Sequence, residues 1–167
     1  MMGTLFQREE IVRSARISED GVYRYWLRRI WDDDLAVCCF IMLNPSTADA
    51  MTDDATIRSC IRLAKVHGFG GIHVVNLFAL RSTNQKRLAI HPDPAGPENT
   101  RWIDNALLEC SKIICAWGTN CYGFNTNTIR IDAMRFGQRL YCFARNKDGS
   151  PKHPLYLPNT AKMEIWI

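Results

Sequence analysis

The stretch Leu35-Ala-Val-Cys-Cys-Phe-Ile-Met-Leu43 is an apolar run that stops abruptly at Asn44-Pro45-Ser46-Thr47. The run shows no alternation of apolar and polar side chains, which is typical of a strand covered on both faces of a parallel sheet. Proline has no N–H to donate to a neighbouring strand, and the polar residues around it favour a loop. The stretch therefore predicts a buried strand that delivers polar side chains to its carboxyl end.

Further apolar strands alternate with amphipathic helices along the rest of the chain. Strands are predicted at residues 72–80, 112–117 and 139–143, and helices at 56–67, 98–110 and 128–136. This alternation is typical of a sheet with helices on both faces. Upstream, residues 13–17 and 22–30 flank an Asp20-Gly21 turn and predict an N-terminal β-hairpin. We expect one α/β domain over residues 1–167, a three-layer sandwich with a mostly parallel central sheet.

Composition limits the class of protein. The chain has 167 residues, 47% hydrophobic and 23% charged, as in an ordinary globular domain. No apolar run is long enough to span a bilayer, and no long apolar block follows a basic start, so we expect a cytoplasmic protein without a membrane partner. The seven cysteines form no C-x-x-C pair and are expected to be reduced; no metal site or cofactor is predicted. The net charge of +4 permits a polyanionic partner.

Polar segments follow all four predicted strands of the alternating part of the chain. These segments are residues 44–47, Asn76 with 81–83, residues 117–119 and residues 147–153. Ligands of open α/β sheets bind beyond the carboxyl ends of the strands. We therefore expect one site to contain all four segments.

The dipeptides Asn44-Pro45, Val75-Asn76, Trp117-Gly118 and His153-Pro154, in this order, resemble the motif series of the uracil-DNA glycosylase superfamily. The resemblance implies a uracil-DNA glycosylase-like fold. It also implies that Asn44 positions the attacking water, that Asn76 reads a flipped base and that His153 stabilises the departing base. Pro45 and Trp117 are assigned with Asn76 to base recognition. More closely, residues 43–49, 53–56, 75–79 and 153–157 resemble domain-of-unknown-function family 1643, which supplies no function.

Three aspartates near Asn44 are candidates for the catalytic carboxylate. Hydrolysis of an N-glycosidic bond passes through a cationic sugar, so a carboxylate can offset that charge or activate the water. Asp53 is ranked first because Asp53-Asp54 precedes the predicted helix at 56–67, and Asp49 is a further candidate. The alternative is that Asp53 or Asp54 only caps this helix.

A further set of hydroxyl, cationic and apolar side chains in these loops is assigned to DNA binding: Ser46, Thr47, Arg81, Ser82, Thr83, Lys147, Lys152, Leu155 and Tyr156. Hydroxyls and cations can hold phosphates, and a base must be flipped out of a duplex before it is excised. Leu155 or Tyr156 is the candidate wedge for that step. The alternative is that this set forms only a solvated rim.

Two departures from the superfamily pattern favour a base other than uracil. Ser46-Thr47 stands where glycine or tyrosine-histidine is usual, and Leu155-Tyr156 stands where a serine is typical. We expect a monomeric DNA glycosylase that excises a non-canonical base, for example glucosylated hydroxymethylcytosine in phage DNA, and leaves an abasic site; anti-phage defence is a fitting setting. Two alternatives stay open. One is a nucleotide or nucleoside hydrolase or transferase, and the other is a non-catalytic module that binds a modified base or a protein.

Overall fold

The computed structural model describes residues 10–167 of the chain. The expectations about the first nine residues, including the N-terminal end of the single domain, lie outside this range. The regular elements, in chain order, are β1 Val12–Ile17, β2 Arg24–Ile30, β3 Val37–Met42, α1 Ala55–Val66, β4 Gly71–Asn76, a short 3-10 helix Gln85–Ala89, α2 Asn99–Glu109, β5 Lys112–Cys115, α3 Asn127–Arg135, β6 Leu140–Cys142 and β7 Glu164–Ile165. Within the described residues, no helix is both long and apolar enough to cross a bilayer.

The strands form one seven-stranded sheet in the order β1-β2-β4-β3-β5-β6-β7. The pairings β4–β3, β3–β5 and β5–β6 are parallel, whereas β1–β2, β2–β4 and β6–β7 are antiparallel. The sheet is therefore mixed, and the expectation of a mostly parallel sheet is wrong. The difference lies at the two edges of the parallel centre. There β2 and β7 add to the sheet as strands that run opposite to their neighbours β4 and β6. The two-residue strand β7 is exposed and has no pattern that predicts it.

The central strand β3 divides its side chains between two apolar layers. Cys38, Phe40 and Met42 pack with α1, while Cys39 and Ile41 pack with α2 and α3. Successive side chains of a strand point to opposite faces, so an unbroken apolar run is what a strand between two helical layers requires. The three helices thus cover both faces of the sheet.

Helix α1 begins at a side-chain cap and ends at a glycine. The Asp54 carboxylate accepts the N–H of Ile57 at 2.9 Å, which stabilises the helix by about 1 kcal/mol. Gly68 follows the last turn at φ 78°, a left-handed conformation that favours glycine. The position of α1 matters for function because its first turn lies at the carboxyl edge of the sheet.

Strand β4 ends at Asn76, earlier than the predicted end at residue 80. Residues 77–80 remain buried, but their N–H groups bond to the last residue of β3, Met42, and to the loop residues Leu43, Pro94 and Ala95. Met42 is the register partner of Asn76, so the parallel strands β3 and β4 end side by side. The chain segments after both strands therefore begin at one point of the sheet edge.

Candidate functional site

A cavity of about 170 Å³ lies where β3 and β4 end. We call it the strand-end cavity. Its walls come from the start of β2, the β3 exit, the first turn of α1, β4, the loop after β4 and the C-terminal loop. The side chains that matter for its chemistry are Arg24, Asn44, Asp54, Asn76 and His153, with Ser46, Thr56, Ser82, Thr83 and Gln85 adding polar groups. Segments more than 100 residues apart in sequence thus meet around one space.

Asn44 lines the strand-end cavity, and its side-chain amide nitrogen is fully used by the surrounding loops. Its Nδ2 donates to the main-chain oxygens of Pro45, Leu80 and Ser82 at 3.0, 3.3 and 2.9 Å. Three carbonyl oxygens can face only the NH₂ end of an amide, so the hydrogen bonds fix which end is which. Asn44 therefore ties the β3 exit to the loop after β4 and keeps Oδ1 as an acceptor, the atom needed to orient a water.

Asn76 is 1% exposed, and its Oδ1 has no hydrogen-bond partner among residues 10–167. Its main-chain oxygen accepts a bond from Asn99 Nδ2 at 2.9 Å, and the same nitrogen donates to Leu77 O at 3.1 Å. A buried polar atom left unpaired costs about 1–3 kcal/mol, so a ligand that donates a hydrogen bond to it regains that free energy. Asn76 therefore lines the cavity with a buried side-chain acceptor that no described protein group uses, and Asn99 anchors its main chain.

His153 is held in one neutral tautomer. The N–H of Leu155 donates to Nδ1 at 3.2 Å, so Nδ1 carries a lone pair and the proton lies on Nε2. Burial lowers the pKa of His153 from its usual value of 6.5, although the charge of Asp54 acts to raise it. His153 can therefore donate a hydrogen bond from Nε2 without carrying a positive charge near neutral pH.

The three candidate aspartates occupy different environments. Asp53 lies outside the strand-end cavity, in ion pairs with Arg13 and with Arg29, whose Nε is 2.8 Å from Oδ1. Asp49 also lies outside; its carboxylate accepts the N–H groups of Met51 and Thr52, which lowers its pKa. Asp54 lines the cavity while capping α1. The geometry therefore favours Asp54 over the first-ranked Asp53, and capping and a place in the site are not exclusive.

Arg24 is the main residue of the cavity that the sequence analysis missed. It is 2% exposed, and its Nη1 donates to Ala48 O at 2.9 Å. The alternation of β2 does not mark Arg24, because its burial depends on the loop at residues 44–48 folding over it. Thr56 and Gln85 also line the cavity without having been predicted. Their only sequence signal is that each is a polar residue near the start of a helix.

Several predicted residues lie elsewhere. Trp117 is 3% exposed and packs edge-on against Trp166, with ring centroids 5.1 Å apart, beside a separate pocket. Thr47, Arg81, Lys147, Lys152, Leu155 and Tyr156 do not line the strand-end cavity. The third predicted strand end therefore does not join the other three at this cavity, because β5 lies on the far side of β3 from β4.

Tyr156 stands out among the residues outside the cavity. It is 92% exposed, and its φ of 71° is unusual for a residue with a large side chain. It follows His153 by three positions in the same loop. An aromatic ring is thus presented to solvent near the residue that borders the cavity.

One protein-family model, described as "Protein of unknown function (DUF1643)", matches residues 24–155. The matched range begins at Arg24 and includes every residue named above as lining the cavity. No curated protein and no solved structure matches the chain.

Proposed function

We propose a function from the site itself, because this chain belongs to the DUF1643 family, whose description names no activity. The function is that of a DNA glycosylase of the uracil-DNA glycosylase-like kind, which removes a non-canonical base and leaves an abasic site. One observation carries the proposal: Asn44, Asn76, Asp54 and His153, from four separate stretches of the chain, line the same cavity. Together they supply a water acceptor, a base-reading amide, a carboxylate and a hydrogen-bond donor.

The reaction assigns a task to each of these groups. Asn44 Oδ1 accepts a hydrogen bond from a water whose oxygen bonds to C1′ of the sugar. The electron pair of the N-glycosidic bond leaves with the base as an anion. The attacking water gives one proton to solvent, and the released base takes up a proton from solvent. Asp54 has oxygens fixed by the N–H groups of Ile57 and Ala48 at 2.9 and 3.4 Å, so it serves as a fixed negative charge that stabilises the cationic sugar. His153 Nε2–H donates to the departing base.

Asn76 supplies the recognition step. A flipped base that enters the cavity can donate an N–H to the unpaired Oδ1, and a base without that donor leaves the acceptor buried and unpaired. The cavity is smaller than the roughly 300–1,000 Å³ typical of pockets for drug-sized ligands, which suits a single base. A bulky modification such as a sugar would extend past the half-exposed Ser82 and the exposed Thr83 and Gln85.

The outer surface suits a DNA strand. The chain carries a net charge of +4, and the exposed Lys147 and Lys152 precede His153 in the C-terminal loop. Cations and hydroxyls such as that of Thr47 position a nucleic acid through its phosphates. The exposed Tyr156 is the favoured wedge over the half-buried Leu155, because its ring can stack in the gap that a flipped base leaves.

The test is release of a free base from phage DNA that contains modified cytosines, scored by mass spectrometry and by alkali-labile breaks. His153→Gln is expected to slow release about 100- to 1,000-fold, the range for removal of one preorganised donor. His91→Gln is a matched control, because His91 Nδ1 also accepts an N–H two residues on, from Asp93 at 3.1 Å, but lies outside the cavity. Folded wild-type protein that releases no base from any modified DNA would contradict the proposal.

A second candidate is a hydrolase or transferase of a free nucleotide or nucleoside. The observation that favours it is Arg24, a buried cation in the cavity wall that suits a phosphate. Retention on DNA at low salt and release at high salt would favour the glycosylase, because phosphate contacts along a strand release counterions. Turnover of nucleotides without retention on DNA would favour the second candidate.

A further inference from the structure

Arg24 is a buried cation whose hydrogen-bonding capacity is largely unused. Its Nη1 bonds to one main-chain oxygen, that of Ala48, while its Nε is buried without a hydrogen-bond partner among the described residues. Within residues 10–167 it takes part in no ion pair of 4 Å or less. A guanidinium has five N–H donors, and buried charges are normally paired. Within the described part of the chain, Arg24 is therefore a buried charge without a direct ion pair.

Asp54 is the main negative charge that acts on Arg24, but the two side chains form no direct ion pair. Burial lowers the pKa of Arg24 to about 10; Asp54 acts to raise it, and Arg81 and Arg29 lower it further. Asp54 has its oxygens engaged by the N–H groups of Ile57 and Ala48. Arg29 is paired with Asp53. Arg24 is thus protonated at neutral pH, with Asp54 opposing the charges of Arg81 and Arg29 around it.

A second arginine, Arg81, does not line the cavity, but its positive charge acts on Arg24. Arg81 donates from Nη1 to Gly21 O at 3.2 Å, and its Nε is also buried without a partner among the described residues. The cavity wall adds neutral donors beside Arg24, namely the hydroxyls of Ser46 and Thr56 and the Nε2–H of His153. Cationic and hydroxyl donors around one small space form an environment suited to an oxyanion or another compact anion.

We propose that Arg24 forms an anion subsite of the strand-end cavity, which binds one compact anionic group of the ligand. The inference rests on the proposed function in taking this cavity as the working site. Two sources supply such a group. One is the departing base, which carries the electron pair of the broken N-glycosidic bond. The other is the phosphate of a bound nucleotide.

The test measures binding of two probes by calorimetry to wild-type protein, Arg24→Gln, Arg24→Lys and Arg101→Gln. The probes are inorganic phosphate and 5-nitrouracil, an acidic pyrimidine that is anionic at neutral pH. Arg101 is exposed on α2, across the sheet from α1, so its substitution removes the same charge away from the cavity. We expect Arg24→Gln to weaken binding at least tenfold, Arg24→Lys to weaken it less and Arg101→Gln to leave it unchanged.

The two probes distinguish the two sources of the anion. Arg24-dependent binding of 5-nitrouracil supports a departing base, and Arg24-dependent binding of phosphate supports a nucleotide. Equal binding by wild-type protein and Arg24→Gln, or no binding of either probe to wild-type protein, overturns the subsite. If Arg24→Gln does not fold, the Nε–H resonance of Arg24 in the wild-type NMR spectrum gives the answer: it shifts on addition of a probe if the subsite exists and stays in place if it does not.

Base release separates this inference from the proposed function. If Arg24→Gln and wild-type protein release base from modified DNA at the same rate, the glycosylase stands and the subsite is overturned. If a probe binds through Arg24 but no modified DNA loses a base, the subsite stands and the glycosylase is overturned.

Discussion

Arg24 and Arg29 lie on the same strand, β2, and both are almost fully buried, at 2% and 0% exposure. Arg29 uses all three of its nitrogens. Nε pairs with Asp53, and Nη1 and Nη2 donate to main-chain oxygens at 2.7–3.4 Å. Arg24 has a single side-chain hydrogen bond and an unpartnered Nε. The two arginines therefore share residue type, strand and burial. They differ in how many of their N–H donors have a hydrogen-bond partner.

Under the anion-subsite proposal, this difference separates a structural arginine from one that binds a ligand. Arg29 and Asp53 fasten the loop at residues 49–53 to β2, because Arg29 also bonds to the main-chain oxygens of Asp49 and Thr52. Nothing about Arg24 fastens the fold to a comparable degree. Burial of a charge is therefore not by itself a sign of function; what distinguishes Arg24 is that its unused donors belong to a residue that lines the strand-end cavity.

The largest expected effect tests this comparison through stability. Arg29→Met leaves Asp53 partly buried with only Arg13 as a counter-charge, and we expect a loss of about 3–5 kcal/mol in the free energy of unfolding. Arg24→Met removes one hydrogen bond together with an unpaired buried charge, and we expect a change of no more than about 1 kcal/mol in either direction. Urea denaturation of both variants measures the difference. Equal losses in the two variants would mean that Arg24 is as structural as Arg29.

An intermediate effect is expected at the adjacent aspartates. Asp54→Asn keeps an N-cap, because asparagine caps helices about as well as aspartate, and should change stability by no more than about 1 kcal/mol. It removes the fixed charge beside the sugar, so base release should fall about 100-fold. Asp53→Asn should do the reverse, with a stability loss of about 3 kcal/mol and little change in the rate per folded molecule. Denaturation and single-turnover kinetics on both variants check this, and a larger rate loss in Asp53→Asn would restore the original ranking.

The smallest effect concerns pH and His153. Because burial lowers its pKa below 6.5, the unfolded chain binds a proton at this position more readily than the folded chain does. The stability contribution is complete above pH 6.5 and is lost as pH falls from 6.5 through the folded-state pKa. Protonation also removes the lone pair that accepts the Leu155 N–H. We expect the stability difference between wild-type protein and His153→Gln to shrink on acidification, and an NMR titration of the ring should give a pKa below 6.5. A pKa of His153 above 6.5 would contradict this prediction, because acidification would then stabilise the folded protein through this residue.

Much of the fold was predictable from local pattern. The apolar run at residues 35–43 predicted the central strand, and the amphipathic segment after Asn44 predicted α1, because both signals depend on side chains close in sequence. The direction of the edge strands was not predictable in this way. The pairing of β7 with β6 depends on where the last residues return to the sheet, and a strand of two residues carries no periodicity.

The candidate site also contains residues that the sequence could propose and a choice that it could not make. Asn44, Asn76 and His153 could be proposed from the sequence because each stands in a short motif that resembles the uracil-DNA glycosylase series, and parallel strands bring their ends to one edge. The choice between Asp53 and Asp54 could not be made, since adjacent residues share every local signal. Their side chains point to different partners only once Arg13 and Arg29 lie beside one of them.

The sequence by itself determined the alternation of buried strands and amphipathic helices, and the polar residues that follow each strand. Tertiary structure alone decided which buried charges are paired, which strand ends share a cavity, and that Arg24 borders it while Trp117 packs elsewhere. The physical reason is the distance along the sequence over which each property is set. Periodicity reflects which face of an element is buried, whereas the pairing of a charge depends on atoms that distant parts of the chain bring within about 3 Å of it.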